Sequence, residues 1–310
     1  MPRPPTTSPP LPWVLSASTP ARLSAGARRL HERVLAHPEW NVIDIGYSLA
    51  VRRGEDGCRA VIMGHDRSEL LAGLHALTLG DCGPNVCIGR PVGRPSTMFV
   101  VPAPDVDALL GARGLLREVP VFAGPLRRCS AVLAEHLGWD VADLLARADT
   151  SIPDAVEVLG PAGFAVQVAL AMAWRSYGVV PDLVVGETGS TLAVEVIAGR
   201  FRMADAAEAI VRSPARARHD RDRLHEQLRR ATAHGARTMI EISPRPVLAA
   251  ECASTVEANV EVLPKVSSDR AAGAITFAHT VARAYVCGAR VGWPARFVGR
   301  QAVLVDLPPL

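Results

Sequence analysis

Pro181-Asp182-Leu183-Val184-Val185-Gly186-Glu187-Thr188-Gly189-Ser190-Thr191-Leu192-Ala193-Val194 is the stretch on which the reading of the chain turns. Leu183 to Val185 make a short apolar run of the kind that crosses a sheet buried on both faces. Gly186 and Gly189 punctuate a turn, and an apolar helical stretch follows. A strand, a tight turn and a helix in that order lift a nucleophile to the C-terminal edge of a parallel sheet, usually a serine. Here the central residue is Thr188, with Glu187 before it and Ser190 after it.

Working outward, strand and helix patterns alternate. Helices are expected near Leu109–Leu116, Phe122–His136, Val141–Ala148 and Ala162–Tyr177 before this stretch, and at 191–198 and 204–212 after it. Apolar runs at Met98–Val101 and Thr238–Ile242 read as further strands, with a helix at Ala272–Cys287 and a closing strand near Val303–Val305. Towards the N-terminus, Trp13–Ala17 and Arg59–Met63 read as strands. Helices are expected over Ala21–Leu35, Val42–Arg52 and from Asp66 to about Leu79, with Asp66 as a cap. The pattern predicts an α/β protein in parts: residues 1–11 a disordered Pro-rich arm, 12–96 a small α/β domain, and 97–310 a parallel-sheet core with a C-terminal return segment.

Composition sets the class. The chain has 310 residues, 49% hydrophobic and 21% charged, with a formal net charge of +3, as a globular protein of one large or two modest domains requires. Arginines are scattered rather than gathered in a stripe, which argues against a nucleic-acid partner. The Pro-rich start has no apolar signal-peptide core, and no uninterrupted apolar run spans a bilayer, so the expectation is cytoplasmic with no membrane partner. The six cysteines do not have zinc-site spacing, and neither a metal nor a cofactor is expected.

Several segments, in a fixed order, resemble one family. PWVLSASTPARLSAGARRLHERV, DIGYSLAVRRG and CRAVIMGHDRSELLAGLHAL are similar to the linker between ketosynthase and acyltransferase in modular polyketide synthases. PVFAGPLRRCSAVLAEHLGWDVADLL, GPAGFAVQVALAMAWRSYGVVPDLVVG, MIEISPRPVL and the trailing AYVCGARVGWPARFVGRQAVLVDLPPL resemble the acyltransferase itself. The resemblance implies an α/β-hydrolase-like core and a cytoplasmic role in antibiotic or other secondary metabolism. Its partners would be an acyl carrier protein or a ketosynthase, and a polyketide intermediate is a further candidate.

The resemblance also locates the departures. In the family the elbow reads G-H-S-x-G and the serine carries malonyl or methylmalonyl from coenzyme A to the carrier protein. Thr188 falls on that serine, Glu187 on the histidine and Ser190 on the second glycine. A β-branched residue at a strained elbow, and a carboxylate beside the oxygen that develops negative charge, both oppose catalysis. The family's G-Q-G becomes Ala103-Pro104-Asp105, and the glutamine of V-V-Q-P-A becomes Gly160. Arg212 corresponds, with a one-residue offset, to the arginine that pairs with the extender carboxylate. After Arg212 the family inserts a ferredoxin-like subdomain carrying the catalytic histidine. Here only a polar, Arg-rich helix around Arg218 to His234, of the kind that forms a solvated face, intervenes, holding His219, His225 and His234.

Three functions follow. The first is an acyltransferase-like component that no longer transfers malonyl and acts through interaction or structure. In the second the old cleft works on a polyketide intermediate, for instance by cyclisation, with Glu187, Thr188, Asp105 and Glu195 supplying polar groups. In the third Thr188 sustains weak acyltransferase or thioesterase activity. Gly160, Gly189, Ser190, Glu195 and Arg212 are the candidate substrate-binding positions beside them.

Overall fold

A computed structural model describes residues 9–52, 57–91, 93, 96–147, 151–213, 220–256, 260–263 and 274–309. The chain divides into two compact units, residues 1–95 with 277–310 and residues 96–276.

The first unit opens with β1 (Leu11–Ala17), α1 (Pro20–Ala36) and α2 (Val42–Val51). β2 (Cys58–Gly64), α3 (Arg67–Thr78) and β3 (Val86–Gly89) follow. Thr19 caps α1 by accepting from the Arg22 N–H, and Asp66 caps α3 by accepting from the Glu69 N–H. These are the stop-and-start signals that the sequence displays. Both strand pairings in the order β1-β2-β3 are antiparallel, which completes a small α/β layer of helices on one sheet. Trp13, Leu15 and Ile62 on the sheet meet Leu30, Ile45, Leu49 and Leu74 on the helices in one buried cluster. The Pro-rich arm ends sooner than expected, since Leu11 already pairs with Gly64; residues 1–8 lie outside the described residues.

The second unit is the parallel core. β4 (Thr97–Val101) is followed by α4 (Val106–Glu118), α5 (Pro120–Leu137), α6 (Val141–Ala146) and α7 (Val156–Ser176). β5 (Leu183–Gly186) turns through a short 3₁₀ segment at Thr188–Ser190 into α8 (Thr191–Ile197) and α9 (Met203–Arg212). α10 (Arg221–Ala233), β6 (Thr238–Glu241), α11 (Ala249–Thr255) and β7 (Glu261–Leu263) complete it. The sheet order is β5-β4-β6-β7, every pairing parallel. Met98 and Val100 point to one buried side with Leu224, Leu228 and Met239. Phe99 and Val101, of opposite parity, are also fully buried, so both faces of β4 are covered. α7 is long and apolar enough to cross a membrane, but 78% of its apolar window is buried inside the protein, which makes it a core helix.

Between Arg212 and Thr238 the described residues hold one helix and no strand, so the core lacks a ferredoxin-like subdomain. α12 (Ala274–Val286) and the segment after it return to the first unit rather than closing the core. The expected strand at Val303–Val305 is absent. Its backbone is held instead by α2 side chains, the Val303 N–H donating to Asp44 (2.9 Å) and the Val305 N–H to Ser48 (2.9 Å). With those donors satisfied, Val303 and Leu304 face solvent at 58% and 68% exposure.

Candidate functional site

β4 sits between β5 and β6, so the chain leaves it to one side and later returns on the other. The crevice beyond the C-terminal ends of these strands is where ligands bind in open α/β sheets. Glu187 lies there, one residue past β5, continuing the ladder by donating its N–H to Val101 O (3.0 Å). Its side chain is fully buried. One carboxylate oxygen accepts from the Ala103 N–H at 2.7 Å, and the other lies 3.2 Å from Nε of Arg221 on α10. Arg221 Nη1 also binds Glu251 on α11, whose second oxygen is 2.8 Å from His225 Nε2. A carboxylate and a guanidinium, joined to a second carboxylate and an imidazole, occupy the crevice.

Gly186 and Ser190 explain how this packing is reached. A Cβ on Gly186 would approach Val101 O and Val194 Cγ2 to 2.7 Å each, so only glycine lets β5 end this close to β4 and α8. Ser190, 3% exposed, donates its hydroxyl to Pro102 O and accepts from Gln167 Nε2 at 3.1 Å. Gln167 itself donates to Pro102 O at 2.7 Å. The side chain that the turn gains at Ser190 is thus absorbed into a bonded set with α7 and the end of β4.

Thr188 is not strained. Among the described residues the single non-glycine with positive φ is Gln301, so the sharp elbow expected here is replaced by a 3₁₀ turn running into α8. The Thr188 hydroxyl is buried and has no hydrogen-bond partner among the described residues. No histidine nitrogen of those residues reaches it. His225 pairs with Glu251, and His234 is exposed, its Nδ1 2.7 Å from Arg230 O. His219 lies outside the described residues.

The other expected site residues separate. Asp105 caps α4, accepting from the Ala108 N–H at 2.6 Å, so it faces its own helix. Gly160 is buried inside α7 and Gly189 lies in the 3₁₀ turn beside Thr188. Glu195 belongs to a surface pair, bound at 2.8 Å by both Nε and Nη2 of Arg200. The Arg212 side chain is 77% exposed and paired with Glu208 at 2.7 Å.

Arg221, Glu251 and Glu241 went unremarked in the sequence. Arg221 and His225 share a helical face with Leu224 and Leu228, and that apolar stripe inside a charged run was the available signal. Glu241 ends β6 at 3% exposure and accepts from the Val247 N–H (2.6 Å) and the Leu248 N–H (3.1 Å) at the entry to α11. Burial pushes its carboxyl up to about 7, the backbone N–H groups pulling the other way and Asp105 adding to the rise. Cys252, beside these carboxylates, is held as a thiol, burial raising it to about 12. Among the described residues no cluster of three metal-ligating side chains occurs.

Residues 111–219 match the acyl transferase domain family and residues 12–74 match the CurL-like polyketide synthase C-terminal family. The chain is 39% identical over 210 residues to polyketide synthase GfsA of Streptomyces halstedii, covering 67% of this chain and 3% of that protein. It is 39% identical over 203 residues to the spectinabilin polyketide synthase protein NorA of Streptomyces orinoci, covering 65% of this chain and 11% of that protein. The chain therefore spans a small part of the relatives it matches. Among solved structures, the acyltransferase domain from module 8 of the salinomycin polyketide synthase aligns with a TM-score of 0.79 at 22% identity, over 94% of this chain and 99% of that one. The acyltransferase domain of ZmaA aligns at 0.76 and 14% identity, over 97% and 99%. Matched in sequence across both of its parts and in fold across nearly its whole length, the chain belongs with the acyltransferase-like domains of modular polyketide synthases and the linker that precedes them.

Proposed function

We propose that this chain is an acyltransferase-like component of a polyketide synthase that does not transfer malonyl units and acts through structure or docking. The observation that carries the reading is the Glu187 carboxylate, closed on the Ala103 N–H at 2.7 Å and on Arg221 at 3.2 Å. A backbone N–H at the end of the first core strand is the kind of donor that stabilises an oxyanion, and a carboxylate already holds it. The neighbouring Thr188 hydroxyl has no base among the described residues to take its proton. An acyl carrier protein or a ketosynthase is the partner class that the family suggests.

Intact-protein mass spectrometry after incubation with malonyl-, methylmalonyl- and acetyl-coenzyme A tests it, with Thr188→Ala as control. No adduct is expected. An adduct that vanishes in Thr188→Ala overturns the reading and makes the chain an acyltransferase or thioesterase with a threonine nucleophile. A second reading, reuse of the crevice on a polyketide intermediate, is favoured by two buried hydroxyls without hydrogen-bond partners among the described residues, Thr188 Oγ1 and Ser243 Oγ. Conversion of an intermediate by the wild type and not by Thr188→Val would establish it.

A further inference from the structure

We infer that the cavity enclosed by α5, α7, α8 and α9 in the second unit is a binding site for a small amphiphile, a single alkyl chain ending in a carboxylate. The cavity has a volume of about 340 Å³, within the roughly 300–1,000 Å³ of small-molecule sites. It is separate from Glu187 and Thr188, neither of which lines it.

The walls set the ligand's chemistry. Val168, Ala171, Met172 and Arg175 stand at successive i, i+3, i+4 and i+7 positions of α7, so one helix face supplies an apolar floor and then a cation. Ile197 closes the end of α8 and Met203 opens α9. Val168, Ala171 and Ile197 are only 2–4% exposed while Met172 is 39% exposed, which places the dry end deep and the opening near Met172. Apolar walls of this kind gain free energy when an alkyl chain replaces water.

The charge is one-sided. Arg128 and Arg175 line the cavity and no acidic residue does. Arg175 spends one N–H on Ile197 O at 2.7 Å, which leaves the rest of its fork available. Arg128 has no ion pair or hydrogen bond among the described residues. Cys129, between them, adds no negative charge, since burial raises its thiol to about 12. Two guanidinium groups at the edge of an apolar space, uncompensated by any lining carboxylate, favour an anionic head over a neutral or cationic one.

Isothermal titration of the full chain with decanoate, acetate and decyltrimethylammonium tests the assignment. Decanoate binds saturably at one site. Acetate, the head alone, gives no measurable binding, and decyltrimethylammonium, the same chain with opposite charge, binds at least about tenfold more weakly. Arg128→Gln lowers decanoate affinity about tenfold, and Met172→Glu, which sets a like charge at the mouth, removes it. Both positions are exposed, so an unchanged thermal midpoint shows that the fold survives each substitution. Equal binding of decanoate and decyltrimethylammonium, no saturable decanoate binding, or an affinity indifferent to Arg128→Gln combined with Arg175→Gln would each overturn it.

Discussion

Arg221→Met isolates what closes the old crevice. The substitution keeps the stem that lies along α10 and removes the guanidinium, leaving the fully buried Glu187 side chain without its 3.2 Å charge partner. Removing one member of a buried pair costs roughly 3–5 kcal/mol. Arg221 is 32% exposed, so water screens part of the interaction and the expected loss is about 2–3 kcal/mol. With a urea m-value of about 2–3 kcal/mol/M the unfolding midpoint falls by about 1 M. Because the chain has two units, the midpoint is read beside hydrogen exchange on peptides covering Thr97–Asp105, where the Ala103 N–H loses protection. Adding Glu187→Gln to Arg221→Met recovers most of the loss, since the amide oxygen still accepts from Ala103 and no buried charge remains. If Arg221→Met and the double variant both stay within about 0.5 kcal/mol of the parent, as an ordinary surface pair would, the ion pair does not hold the crevice shut and the argument from Glu187 fails.

Two further outcomes concern the same end of the sheet. Burial holds the Glu241 carboxyl near 7 against an ordinary 4.5, so between those values the folded protein keeps a proton that the unfolded chain has released. Stability is therefore greatest at the acid end of that window and declines as pH rises through 7, by up to about 3 kcal/mol. Glu241→Gln, which never charges, flattens the slope in urea midpoints taken at pH 5, 7 and 8.5; an unchanged slope would refute this. At Gly163 in α7 an added Cβ would come within 2.1 Å of Pro104 Cβ. Alanine in place of a helical glycine normally gains about 1 kcal/mol. Here Gly163→Ala loses about 1–3 kcal/mol in chemical denaturation, because Pro104 must give way.

How much of this was legible depended on whether the cause was local. The caps at Thr19, Asp66 and Asp105 and the long amphipathic helices stand in the sequence, because a cap and a helical stripe are set within a few residues. β3, α11 and β7 were not read. β7 is three residues long, and its pairing with Thr238–Ile240 makes it a strand, not its own pattern. The expected closing strand failed for the converse reason: an apolar run at Val303–Val305 has the composition of a strand but finds Asp44 and Ser48 instead of a neighbouring backbone. At the candidate site, Glu187 and Thr188 stand out in the sequence because the strand–turn–helix pattern is local. The partner of Glu187 was hidden in a charged helix that reads as solvated. Sequence spacing cannot show which of its arginines turns inward, and the inward one decides whether Glu187 is a free carboxylate or a closed one. Arg212 and Glu195 show the same limit, since their surface partners, Glu208 and Arg200, are set by the fold around them.

The last residues of the chain carry a consequence for biosynthesis. Leu307 is buried at 4% exposure in the core of the first unit. Arg29 donates to Pro309 O and Arg52 to Pro308 O and Leu307 O, across separations of 280, 256 and 255 residues. A ribosome adds roughly 5–20 residues each second, so β1 to β3 wait on the order of ten seconds or more for the segment that completes their packing. The inserted unit, residues 96–276, has all of its own strands before that segment is made. Nascent chains stalled before α12 therefore carry a formed core sheet and an unsealed first unit, whose apolar helices are the surface that a trigger-type chaperone would hold.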